Sequence, residues 1–185
     1  MKNKPALPLN LAKNDFTTLL CSNFCNMIQR IQSVFLLLVA IAMFSLPFLS
    51  IWVQVNPAQT EQLKLTAWSF EKTSISSGEI IEANNHYLIG ILAIIAGAIA
   101  IYSLIQFKNR TRQMFLNMIN SLVMGIALGA TVFLSYRAND AFNPQATGAY
   151  IIGFYTIIFG LIMNMLANRF IRKDEMLVRS IDRIR

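Results

Sequence analysis

Four stretches of this chain run for twenty residues or more without an Asp, Glu, Lys or Arg: about 31–53, 87–107, 114–136 and 148–167. A hydrocarbon core about 30 Å thick is crossed by roughly 20 apolar residues in helical form. Each stretch is long enough to span. Together they take up nearly half of the 185 residues, which leaves no room for a separate soluble domain of ordinary size. The expected fold class is an all-α membrane protein, a bundle of four transmembrane helices.

Charge agrees with this. Only 14% of residues are charged, against about 25% in soluble domains. The net charge of +7 would suit nucleic acid, but the basic residues do not interleave with aromatics outside the spans. They cluster beside them instead. Lys2, Lys4, Lys13, Arg30, Lys108, Arg110 and Arg112 fall on one side, with Arg169, Arg172, Lys173, Arg179, Arg183 and Arg185 of the tail. Only Lys64, Lys72 and Arg137 fall on the other, thirteen against three. The positive-inside rule then places both termini in the cytoplasm. Dropping residues 1–26 leaves that orientation unchanged.

Residues 1–26 show no sustained period and carry Pro5 and Pro8. They are expected to be a disordered extension, with Met27 as an alternative translation start. The apolar run after them is too long for a signal peptide and has no Ala-x-Ala site. Cys21 and Cys25 stand alone, without the further ligands of a closed zinc site, and on the cytoplasmic side they are reduced thiols.

Pro47 is expected to kink the outer third of span one, and Trp52 to anchor it at the interface. Residues 54–86 form the long outer loop. Residues 62–70 alternate in part, Ser76-Ser77-Gly78 is a turn signal, and 79–82 can return as a second strand. A short β-hairpin resting on the helix ends is expected, because an isolated one is marginal in water. Residues 137–147 read as a short polar turn.

Helices in lipid associate by close packing, which small residues permit. Ser121, Gly125 and Gly129 form a small-xxx-small row on span three. Gly90 and Gly97 on span two and Gly153 and Gly160 on span four are likewise placed for helix packing. The row is expected to pack within one chain, ahead of a dimer; the oligomeric state is left open. A second pattern is a polar inner layer of Gln32, Gln106, Asn117, Asn120, Asn164 and Asn168, all near the cytoplasmic ends of their spans. Amides need partners that lipid does not supply. Interhelical hydrogen bonds, about 0.6 kcal/mol each, are the expected use, and a polar vestibule is the sharper alternative.

No ionisable residue lies within the apolar cores, which disfavours a proton-coupled carrier, and no inverted repeat with broken helices is visible. The one histidine, His86, sits at the outer mouth of span two without the spacing of a metal pair. The chain has no GxSxG, P-loop or GxGxxG motif. No catalytic residue, cofactor or metal site is expected.

Continued as helix, 169–185 would carry Phe170, Leu177, Ile181 and Ile184 on one face and most of its basic residues off it. That is an amphipathic basic helix of the interfacial kind. Arg169, Arg172, Lys173, Arg179 and Arg183 are the expected contacts to anionic headgroups or to a membrane-protein partner. The segments Met27-Ile28-Gln29-Arg30-Ile31-Gln32-Ser33 and 168–180 (NRFIRKDEMLVRS) resemble the two signatures of an uncharacterised bacterial membrane family, domain of unknown function 4293 (DUF4293). The resemblance covers about residues 27–185. It implies a four-span protein of the bacterial inner membrane and brings no activity or catalytic residues. The expected function is a non-enzymatic scaffold or accessory subunit of an inner-membrane complex. The alternative is a small channel or passive carrier with its mouth near Asn117 and Asn164.

Overall fold

The computed structural model describes residues 31–106, 109–144 and 146–182, with the side chains of all but 174 and 177–182. Expectations for residues 1–26, the Met27 start, Cys21 and Cys25, and the side chains of Arg179 and Arg183 lie outside these residues.

Helix α1 spans Ile31–Ser45 and ends in a 3₁₀ turn, Leu46–Phe48. Pro47 therefore stops the helix where a kink was expected. It lacks the N–H that would continue the ladder, and Ser45 closes the last turn by donating its Oγ–H to Ala42 O at 2.9 Å. Span one is thus shorter than 31–53. The residues after it, Ser50–Val55, form strand β1. SIWVQV is rich in β-branched and aromatic residues, and it alternates well enough to be read as a strand; only its continuity with the apolar run hid it.

The chain then makes β2 (Glu61–Thr66), β3 (Ser69–Ser74) and β4 (Ile80–Asn85), each antiparallel to the last. The single strand expected over 62–70 is broken at Ala67-Trp68. There Thr66 Oγ1 accepts from the backbone N–H of Ser69 at 3.1 Å and turns the chain. The Ser76-Ser77-Gly78 turn is present, with Gly78 at φ +69°, a conformation that glycine adopts without Cβ strain.

Helix α2 covers Leu88–Ile105. Helix α3 runs from Arg110 to Phe142, well past the polar turn expected from residue 137. Strand β5, Ala149–Tyr150, pairs with β1. It stands where the fourth apolar span was expected to begin. Helix α4, Ile152–Asp182, then carries straight on through the tail. The sheet has five strands in the order β4-β3-β2-β1-β5, larger than the expected hairpin.

The four helices touch in a closed cycle: α1 meets α2 and α4, and α3 meets the same two. All four are long and apolar enough to cross a membrane. Their outward faces carry Leu37, Ile41, Ile91, Leu122, Ile126 and Ile162, all exposed. A protein in water rarely shows so continuous an apolar surface.

The sheet is fixed to the helices by one core. Leu46, Ile51, Trp52, Leu65, Ala67 and Ile89 are buried together, with Ala138 and Ile157. Trp52 is 2% exposed, so it is a core residue and not the interfacial anchor expected of it. The cause is the strand. In β1 Trp52 pairs with Leu65 on one side and Tyr150 on the other, which draws it in under the sheet. Gln54 ties the last connection down, donating from Nε2 to Asn143 O at 3.0 Å and Ala146 O at 2.6 Å.

Candidate functional site

Buried polar side chains gather at the end of the helices away from the sheet. Helix α3 shows why. Gln113, Asn117, Asn120, Met124, Ala127 and Thr131 are all buried on one seam. Their spacing of three and four residues keeps them on one face. The first three are amides and the next two are apolar, so one seam changes character partway along.

The other helices change in register with it. On α1, Gln32 and Ser33 are buried ahead of Leu36, Val39 and Met43. On α2, Ser103 follows Ala96 and Ala100. On α4, Asn164 follows Ile157. The apolar layer, built on Val39, Met43, Ala96, Ala100 and Met124, is closed by Val123, Leu161 and Met163. It lies between the amides and the sheet.

Three short bonds join α2, α3 and α4 within the polar layer. Ser103 Oγ–H donates to Asn117 Oδ1 at 2.8 Å. Asn164 Nδ2 donates to Asn117 O and to Ser121 Oγ, both at 2.8 Å. The other polar atoms of the layer are buried without a partner. They include both amide atoms of Gln32, Gln113 and Asn120, the Oγ of Ser33, the Nδ2 of Asn117, and the Oδ1 of Asn164 and Asn168. Buried polar atoms are paired in nine cases out of ten or more, so this concentration sets the region apart from an ordinary helix interface.

Of the six residues expected in this layer, Gln32, Asn117, Asn120 and Asn164 meet in it. Asn168 is half-buried at its edge. Gln106 turns aside and donates to Tyr102 Oη at 3.2 Å. Gln113, Ser103 and Ser33 belong to the layer and were missed. Gln113 was legible, since it continues the Asn117–Asn120 seam by four residues. Ser103 and Ser33 carried no signal to separate them from other serines.

The small residues divide. A Cβ on Gly90 would meet the Trp68 ring at 2.6 Å, on Gly97 the Phe44 ring at 2.9 Å, on Gly153 the Ser50 carbonyl O at 2.6 Å and on Gly160 Met43 Cε at 2.6 Å. These four are true close approaches. Gly125 and Gly129 are not, because nothing lies within 4 Å of a Cβ built on either. Packing of the Ser121/Gly125/Gly129 row inside the chain is therefore overturned beyond Ser121. The buried seam of α3 runs through Met124 and Ala127, and residues one and two positions further round face outward.

At the sheet end a cleft of about 490 Å³ opens between β2–β4 and the last turns of α3. Phe70, Lys72, Glu82, His86, Arg137 and Phe142 are among its walls. The His86 ring meets Phe70 edge-on at 5.1 Å. Lys72 Nζ bonds Glu61 at 2.9 Å and stands 5.7 Å from the Phe142 ring centre. Among the described residues no Ser, Thr or Cys lines this cleft. Among the described residues no group of three or more His, Cys, Asp and Glu side chains is placed to hold a metal ion.

Strand β4 is the open edge of the sheet, and all six of its residues are exposed. His86 N–H donates to Trp68 O at 2.7 Å, next to the Ser69↔Asn85 pair. Antiparallel pairs alternate between bonded and non-bonded. Phe70↔Asn84 and Lys72↔Glu82 are then the bonded ones, and Ala83 turns its N–H and C=O away from the sheet.

No curated protein matches the chain. The model of one family, described as a domain of unknown function, matches residues 28–184; that coverage takes in all four helices and the sheet, and the chain belongs to the DUF4293 family.

Proposed function

We propose that the protein is a non-enzymatic scaffold or accessory subunit in the bacterial cytoplasmic membrane. Its four helices form a transmembrane bundle with both termini inside, a reading that the distribution of Lys and Arg supports. The sheet then stands on the outer face and is the contact surface. One observation carries this reading: a full-length edge strand, β4, exposed at every residue on a sheet whose strands β1 and β2 share a core with the helices. An unpaired edge is a template for another extended chain, and adding a strand is a common way of taking up a peptide segment. Ile80 and Ile81 are 61% and 55% exposed and offer apolar contacts on the two faces. The partner is an extended segment of another envelope protein.

Ala83→Pro tests this. It removes an outward N–H while sparing the bonds to β3. Crosslinking and affinity purification from native membranes should lose a partner that the wild-type chain retains, with insertion and thermal unfolding unchanged. Equal recovery of that partner by both chains refutes the reading.

The second reading, a passive channel or carrier, draws on the amide layer near Asn117 and Asn164. The apolar layer packed over it supports the scaffold ahead of this reading. Liposomes holding the purified chain are the direct check: solute flux altered by Asn164→Leu would favour the channel over the scaffold.

A further inference from the structure

A groove of about 940 Å³ runs along the tail end of α4 beside Ser121 of α3. Arg169, Arg172 and Lys173 line it, spaced three and four apart so that they share a helix face, and all three are exposed. Phe170 is part of its apolar wall and is held in place by stacking on Phe35 at 5.3 Å. Asn168 also lines it.

Ser121 links this groove to the row that the protein's own packing leaves uncovered. Gly125 and Gly129 follow it at four-residue steps, exposed and open for 4 Å around. From Ser121 to Gly129 the helix rises about 12 Å. One leaflet's share of the hydrocarbon core is about 15 Å. A cationic groove at the inner surface therefore continues into a shallow trough of leaflet depth.

We propose that groove and trough form one binding site for a single anionic phospholipid of the inner leaflet. Its phosphate rests on Arg169, Arg172 and Lys173. An acyl chain lies along Gly125 and Gly129. The cations select a net negative lipid, such as phosphatidylglycerol. A choline headgroup carries a cation of its own, which cancels the phosphate charge. The site is independent of the edge-strand reading, because it lies at the opposite end of the helices.

The test is native mass spectrometry of the full chain from mixed micelles of phosphatidylglycerol and phosphatidylcholine. The expected result is one retained phosphatidylglycerol that excess inorganic phosphate does not displace. Arg169→Gln/Arg172→Gln/Lys173→Gln should weaken retention on the order of 100-fold, from about fivefold for each basic residue at an anionic surface. Gly125→Leu should weaken it with no change of charge, since the new side chain fills the trough. Arg112→Gln, at a basic residue that lines a different cleft beside Tyr102 and Gln106, should leave it intact. Equal retention of both lipids, displacement by phosphate, or an equal loss from Arg112→Gln would overturn the site. So would full retention by Gly125→Leu, which means that the charge alone holds the lipid.

Discussion

The two ends of the helices are filled by opposite means. At the sheet end, a large apolar core locks strands to helices: Ile51, Trp52 and Leu65 are all but inaccessible. At the tail end, amides occupy the same central position and most of their polar atoms have no partner. The difference teaches where rigidity lies. Apolar groups at the sheet end gain by every contact. A buried amide gains only when both its donor and its acceptor are met, and otherwise costs its desolvation. The sheet end is built for stability, and the tail end tolerates a local cost.

The largest expected effect breaks the first half of this comparison. Leu65→Ala removes a buried side chain near the end of β2, between Trp52 of β1 and Phe70 of β3. A change of this kind costs about 2–5 kcal/mol. Thermal unfolding in detergent should show a clear drop in Tm, with loss of the sheet signal first. An unchanged Tm would mean that the sheet contributes nothing to holding the helices together.

A pair of substitutions sharpens the second half. Asn164→Leu discards the two bonds that join α4 to α3; Ser121 Oγ loses its donor, while Asn117 O keeps only its bond within the helix. The expected cost is about 1–3 kcal/mol. Gln113→Leu removes two atoms that have no partner, so it should be neutral or stabilising. Denaturation of the two variants side by side decides the matter. Equal destabilisation would show that the layer acts as one bonded network.

Much of this was open to reading in the sequence. Helix α2 departs from its expected span by one residue at the start and two at the end, because charged or polar residues bracket it closely. The amides at 32, 117, 120 and 164 were placed together by depth alone. What failed did so where two structures share one composition. Span one ran on into β1 because an apolar strand and an apolar helix look alike without a break, and Pro47 was read as a bend in one element when it was the boundary between two. Two-residue β5 is defined only by its partner β1, which no local pattern reveals. The Gly125/Gly129 row failed for a different reason. Spacing of four says that residues share a face, but not which face, and the buried seam of α3 lies beside them.

The smallest effect belongs to the ion pair on the sheet. Lys72 on β3 reaches Glu61 on β2 diagonally, since its direct partner across the ladder is Leu63. Both side chains are about a third exposed or less, at 28% and 31%, so water and salt screen much of the attraction. Lys72→Gln should cost about 0–1 kcal/mol, and the cost should shrink as salt is raised. Lys72 also stands over Phe142, at the end of α3, and a cation over a ring is worth about 0.5–1 kcal/mol at such a site. Glu61→Gln removes the pair and keeps the ring contact. If the two variants unfold at the same temperature, the Phe142 contact adds nothing and the sheet is held only from its core. If Lys72→Gln falls further, its cation also ties the outer strands to the helix, and the rigid end reaches beyond the apolar residues that define it.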